Sequence, residues 1–219
     1  MAFAEGIRLS DVAKRLKIGP MKRLYKYYNA DSINLAGGLP MESCFPFEQV
    51  KVKLFSGDEY ALSKGSSLIL NYHRGSGVPM LADWLSEHVK QIHNPRSGYQ
   101  TCMSCGSTDA LSKTITLIKT DSILFDQYAY GAAVTTAEAL GKLPIGVPGD
   151  SQGMIPDALR RSILAAKTKG LSPRLLYLVP VGQNPTGLTM SVARKREILD
   201  VCREQDIAIV EDGNSMYLT

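Results

Sequence analysis

No run of apolar residues in this chain approaches the ~20 needed to cross a bilayer as a helix, which argues against an integral membrane protein. The N-terminus also lacks the charged-then-apolar order of a secretory signal. Basic residues are not gathered into a stripe, and the formal net charge is only +4 over 219 residues, so no nucleic-acid footprint stands out. The densest basic stretch, Lys14 to Lys26, interleaves its cations with Leu16, Leu24 and Tyr25, a pattern shared by membrane-surface helices but read here as the solvated helix face of an N-terminal arm. Metal chemistry is short of ligands: there are three histidines and four cysteines. Cys102-Met103-Ser104-Cys105 has the spacing of a redox or zinc pair, but no second pair or nearby histidine completes a metal site, and the segment reads as structural. Such cysteines fit a reducing compartment in which they stay thiols, and a cytoplasmic location is the expectation. No strand leads into Gly-x-Gly-x-x-Gly, so the usual signature of a dinucleotide site is missing.

What is present is the composition of an ordinary globular protein, 44% hydrophobic and 21% charged. Two short helical patterns flank Gly19-Pro20 between Ser10 and Asn29, with Ser10 and Asp11 placed to cap the first, and read as an N-terminal arm. A short strand, Ile33 to Ala36, runs into Gly37-Gly38-Leu39-Pro40. A helical stretch is expected over Phe47 to Phe55, and an amphipathic helix over Pro79 to Ile92. From there strands and helices alternate. Strands are predicted at Tyr99 to Met103, Ser122 to Phe125, Leu143 to Val147, Leu175 to Val179 and Ile207 to Val210. Helices are predicted after Asp109, over Ala132 to Leu140, over Pro156 to Lys167, and from Ser191. The fold class is α/β, a mostly parallel sheet of at least five strands with helices on both faces.

In such sheets ligands sit beyond the carboxyl ends of the strands, and three strand ends carry suitable chemistry. Cys105-Gly106-Ser107-Thr108-Asp109 places hydroxyls and backbone N–H groups at a helix start, where a phosphate is favoured; a simple N-cap by Ser107 or Asp109 reads the same way. Val179-Pro180-Val181-Gly182-Gln183-Asn184-Pro185-Thr186-Gly187 is a tight strand-to-helix loop, although Asn-Pro and Thr-Gly also serve ordinary turns. Ile207-Ala208-Ile209-Val210 ends in Glu211-Asp212, which puts a carboxylate and the amide of Asn184 at the same end of two successive strands, facing one crevice.

Leu176 to Pro180, Gln183 to Gly187 and Ile209 to Asp212, in this order, resemble the motifs of fold-type I aminotransferases that use pyridoxal phosphate. The nearest branch is that of the aromatic amino acid, kynurenine and 2-aminoadipate aminotransferases, and the resemblance runs from about Ile33 to Asp212. It implies pyridoxal 5'-phosphate as cofactor. In that pattern Asp212 pairs with the ring nitrogen, Asn184 bonds the phenolic oxygen, Tyr130 stacks on the ring, and Ser107 with Thr108 cradles the phosphate. Tyr72 matches a residue that reaches the phosphate from the neighbouring subunit of a homodimer, and Gly37 and Gly38 match a segment lying against the substrate. The implied reaction moves an amino group from an aromatic or related amino acid to a 2-oxo acid. The implied division is an arm (1–32), a partial cofactor-binding large domain (33–212) and a divergent tail (213–219).

The chain departs from this pattern after Asp212. Ser215 stands where the family has a tyrosine, and no lysine follows to serve as the family's Schiff-base residue. The small C-terminal domain and the arginine that grips the substrate carboxylate also have no counterpart. The expectation is therefore a C-terminally truncated chain that is inactive alone and assigns no catalytic residue. The alternative is a non-catalytic cofactor-binding or regulatory fragment pairing with a complete subunit. An incomplete sheet predicts an open edge and poor solubility.

Overall fold

The computed structural model describes residues 8–24, 27, 33, 35, 38–63, 70–73, 75–95 and 98–217. In chain order its elements are α1 (Asp11–Arg15), α2 (Pro20–Leu24), β1 (Gln49–Lys53), β2 (Glu59–Ser63), α3 (Pro79–His93), α4 (Ser107–Leu117) and β3 (Ser122–Asp126). There follow α5 (Gly131–Ala139), β4 (Leu143–Val147), β5 (Gly149–Asp150), β6 (Gly153–Met154), α6 (Pro156–Thr168), β7 (Leu175–Leu178), α7 (Val192–Gln205) and β8 (Ala208–Glu211). They form two compact units, one made of Met1–Lys17 with Ser104–Thr219 and the other of Ile18–Met103.

In the unit Ile18–Met103, the stretch expected to be helical over Phe47 to Phe55 is instead the first strand of an antiparallel hairpin, β1 against β2. The reason lies in Val50-Lys51-Val52-Lys53, whose alternation has the period of a strand, and in the Ser56-Gly57-Asp58 turn that follows. The strand expected at Tyr99 to Met103 is absent as well. Its side chains bond to α3 instead: the Tyr99 hydroxyl donates to Ser86 O at 2.9 Å and Thr101 Oγ1 to Ala82 O at 3.2 Å. Of the strand expected at Ile33 to Ala36, Ile33 and Leu35 are unpaired in any sheet, while Asn34 and Ala36 lie outside the described residues.

The other unit holds a parallel sheet of four strands in the order β4-β3-β7-β8. β4 and β8 are its outer strands, with no further partner among the described residues. Alternation along the strands sorts the core into two layers. Leu124, Leu176, Leu178 and Ile209 pack with Leu159 and Ile163 of α6 and Ile198 and Val201 of α7. Ile123, Phe125, Leu175 and Tyr177 pack on the opposite face with Leu111 and Ile115 of α4 and Ala133 and Ala137 of α5. Helices therefore cover both faces, which is why the two central strands are apolar at nearly every position.

Local chemistry sets where these helices begin. Ser191 caps α7 by accepting from Arg194 N at 3.2 Å, and Pro156 opens α6, where its missing N–H costs nothing. Ser10 caps α1 and also donates to Thr116 O at 2.6 Å, so residues 8–16 are fastened to the far end of α4.

Candidate functional site

From β3 the chain passes through α5 to β4 on one side, and from β4 through α6 to β7 on the other side of β3. The connections diverge at β3, so a crevice opens at the carboxyl ends of β3 and β7, the place where open α/β sheets bind ligands. The N-termini of α4 and α5 lie at this same end, because α4 runs directly into the start of β3 and α5 leaves from its finish.

α4 begins with Gly106 as its N-cap, at φ 141°, a conformation that favours glycine, with no side chain closing the helix end. Neither Ser107 nor Asp109 caps the helix. The Asp109 carboxylate is engaged elsewhere, accepting from Cys105 N at 3.1 Å and pairing with Lys113. The Lys113 ammonium first, then the Cys105 N–H, hold its carboxyl below the usual carboxylate range. Ser107 and Thr108 are exposed, and the N–H groups of a first helical turn have no intrahelical acceptor. A Cβ added at Gly106 would meet nothing within 4 Å. Open space, free donors and the positive end of a helix suit an anion such as a phosphate.

On the same face of the sheet, Tyr130 is the N-cap of α5 and packs, half-buried, against the cluster containing Phe125 and Tyr177. The Tyr177 ring lies 5.6 Å from that of Phe125 and tilts 45° to it. Its hydroxyl donates to Oδ2 of Asp212 at 2.7 Å. Asp212 extends the β8 ladder, its N–H donating to Leu178 O at 2.9 Å, and its Oδ1 accepts from Asn214 N at 3.3 Å. Burial first, and then the hydrogen bond to Asp212, raise the Tyr177 phenol well above its ordinary range, so it stays a donor. A helix end, an aromatic ring and a carboxylate thus occupy one edge of one face, a donor set that fits the phosphate, ring and ring nitrogen of pyridoxal phosphate.

Asn184 is exposed in the loop after β7, next to a cis peptide bond with Pro185. The loop is shaped by its neighbour Gln183, which is buried at 6% exposure. The Gln183 Nε2 donates to Tyr128 O at 2.5 Å, while its Oε1 accepts from Thr186 N at 2.9 Å and Thr186 Oγ1 at 2.5 Å. One side chain therefore ties the ends of β3 and β7 across the crevice. A cavity of about 200 Å³ opens beside it, lined by Asp126, Tyr128, Asp150, Gln183 and Met190 among others. Burial pushes the Asp126 carboxyl up to about 6. Arg194 closes the rim with Nη1 and Nη2 on the two Asp150 carboxylate oxygens at 3.0 and 3.1 Å.

Tyr177 and Gln183 lie inside the quoted motifs without an assigned role, and Asp126 lies outside them. Tyr177 passes for one more apolar position in Leu175 to Val179, and only the parity it shares with Asp212 across paired strands hints otherwise. The remaining predicted site residues fall in Ile18–Met103. Tyr72 is 73% exposed in a loop, and Gly38 adopts φ 55° with open space around it. Gly37 lies outside the described residues. Among the described residues no cluster of three metal-ligating side chains occurs, and no helix is long and apolar enough to cross a membrane.

No protein-family model matches the chain. Individual relatives do. The chain is 31% identical over 240 aligned positions to an aromatic amino acid aminotransferase of Schizosaccharomyces pombe, covering 96% of this chain and 50% of that protein. It is 32% identical to the mitochondrial kynurenine/alpha-aminoadipate aminotransferase of Bos taurus, covering 85% of this chain and 48% of that one. In structure it matches the aminotransferase Aro8 from Candida albicans with a TM-score of 0.83 at 29% identity, over 93% of this chain and 48% of that one. The chain spans about half the length of these relatives. Over nearly all its own length it resembles aminotransferases of the aromatic amino acid and kynurenine branch.

Proposed function

We propose that these residues are the cofactor-binding portion of an aminotransferase that moves an amino group from an aromatic or related amino acid to a 2-oxo acid. The observation that carries this reading is the meeting of the α4 N-terminus, Tyr130 and Asp212 at one edge of one sheet face. Pyridoxal phosphate, when bound, supplies an electron sink for the charge left as a proton departs from the substrate's α-carbon. The side chains make that sink effective. Asp212 would face the ring nitrogen and keep it protonated, because a neighbouring negative charge favours the charged form. Tyr130 would cover the ring, Asn184 would donate to its phenolic oxygen, and Ser107 with Thr108 would bind the phosphate through hydroxyl and N–H groups. Tyr72 is assigned to the phosphate of a second subunit in a homodimer, and Gly37 and Gly38 to the substrate side. The proposed division is an arm at 1–32 and a cofactor-binding domain at 33–212.

None of the residues after Asp212 is a lysine. In this reading the contribution of these 219 residues is to bind and orient the cofactor. A second reading has the chain bind cofactor without catalysis or pair with a complete subunit. Titration of the 219-residue protein with pyridoxal phosphate, followed by cofactor absorbance, tests the site. Saturable binding is expected, with no covalent adduct after borohydride reduction on any residue beyond Asp212. Asp212→Asn should weaken binding about tenfold or more, ~1.4 kcal/mol, with the fold unchanged by circular dichroism. Equal affinity in the two proteins would remove Asp212 from the site. Steady transamination by the 219 residues alone would show that they do more than bind and orient.

A further inference from the structure

We infer that Tyr177 is the positioning residue for Asp212: its hydroxyl fixes the carboxylate in the orientation needed to meet the ring nitrogen of pyridoxal phosphate. The inference rests on the reading of the site given above and adds a residue which that reading does not use. Tyr177 sits in β7 opposite Val210 of β8, so Asp212 is its diagonal neighbour two residues further along, within reach of a long side chain on the same face. The hydroxyl does reach, at 2.7 Å from Oδ2. Tyr177 is itself held. It is 3% exposed, packed in the cluster with Phe125, Leu111 and Val179, and its strand is paired on both sides.

Asp212, by contrast, has little of its own to hold it. It follows the last residue of an outer strand and is only partly buried, and its other oxygen has one longer contact, 3.3 Å to Asn214 N. A carboxylate at a strand end can rotate about its side-chain bonds. One short hydrogen bond from a rigid phenol removes most of that freedom before any ligand arrives. The same bond leaves a lone pair on each oxygen free to accept from a cationic N–H. A buried tyrosine placed only for packing would not need its hydroxyl aimed at this one carboxylate, whereas a positioning residue must be aimed there.

The test is a binding cycle on the 219-residue protein with pyridoxal phosphate, using Tyr177→Phe, Asp212→Asn and the double variant. Tyr177→Phe is expected to weaken binding about tenfold in the parent and to change it less than twofold in the Asp212→Asn background. The ¹⁵N resonance of ring-labelled cofactor should move toward the unprotonated form in Tyr177→Phe. Equal losses in both backgrounds, or an unmoved ¹⁵N resonance, would reduce Tyr177 to a packing residue and overturn the inference. If Tyr177→Phe does not fold, 3-fluorotyrosine at position 177 keeps the ring and hydroxyl while altering the donor. It should shift the same resonance, and an unchanged one again overturns the proposal. Failure of the parent to bind pyridoxal phosphate at all would overturn the site reading, and this inference with it. Binding that ignores Tyr177 would overturn the inference alone.

Discussion

Asp126 ends β3 with its carboxyl group at the cavity beside Gln183, and burial holds its pKa at about 6 rather than in the ordinary carboxylate range. The folded protein therefore binds this proton more tightly than the unfolded chain does. As pH rises from about 4 to about 6, the folded state keeps a proton that the unfolded state has released, and stability falls across that window. Above it the folded state carries a poorly solvated charge, costing on the order of 1–3 kcal/mol. Asp126→Asn should abolish the slope and raise stability at pH 7 by about that amount, read from urea unfolding at pH 4.5 and 7. The same slope in variant and parent would show that another group is responsible. At this scale the sequence was only half legible. The strand-end positions of Asp126, Asp212 and Tyr130 follow from alternation, because apolar runs and turn residues locate the ends of strands. Burial of Asp126, the three-way bonding of Gln183 and the aim of the Tyr177 hydroxyl depend on contacts between elements distant in the chain, and no local pattern encodes them.

Elements show the same division. The short strands β5 and β6 are joined by a turn, and Gly153 lies where β6 begins, at φ 94°. A Cβ there would stand 2.8 Å from both Cγ and Cε of Met190, which is buried at 4% exposure. Gly153→Ala thus combines left-handed strain with overpacking, and should lower stability by about 2–4 kcal/mol. Gly170, at φ 78°, has open space where a Cβ would stand, with nothing within 4 Å, and so isolates the backbone part alone. Gly170→Ala should cost only about 1 kcal/mol. Urea midpoints for the two variants measure the difference, and equal losses would mean that Met190 yields freely. The helices and strands after Asp109 were legible because caps, prolines and apolar periodicity agree with the fold that packs them. Before Ser104 that agreement fails. Phe47 to Phe55 carries apolar residues compatible with a helix, but the alternation of Val50 and Val52 with lysine forms a hairpin, and Tyr99 to Met103 spends its side-chain bonds on α3.

For the molecule as a whole, the distribution of buried surface matters more than any single contact. Every buried hydrophobic residue among those described lies between Leu111 and Ile207, so the unit containing the parallel sheet holds the core. In Ile18–Met103, β1 is exposed along its length and α3 buries no residue, leaving Leu81, Trp84 and Ile92 open to solvent. Local opening needs little free energy where few apolar contacts must break. Trypsin at low ratio should therefore cut first at lysines such as Lys51, Lys53 and Lys90, and a fragment carrying the sheet should persist after the intact chain has gone. The chain's one tryptophan gives an independent reading of the same difference. Trp84 is 60% exposed and stacks on His88 at 5.0 Å, so its emission should already be that of a hydrated indole and should move little on unfolding. Circular dichroism, dominated by the sheet unit, should show the cooperative transition that this fluorescence lacks. Uniform resistance to trypsin, together with a large red shift of the tryptophan emission at the same urea concentration as the loss of ellipticity, would instead show that both units melt as one and that α3 is covered in solution.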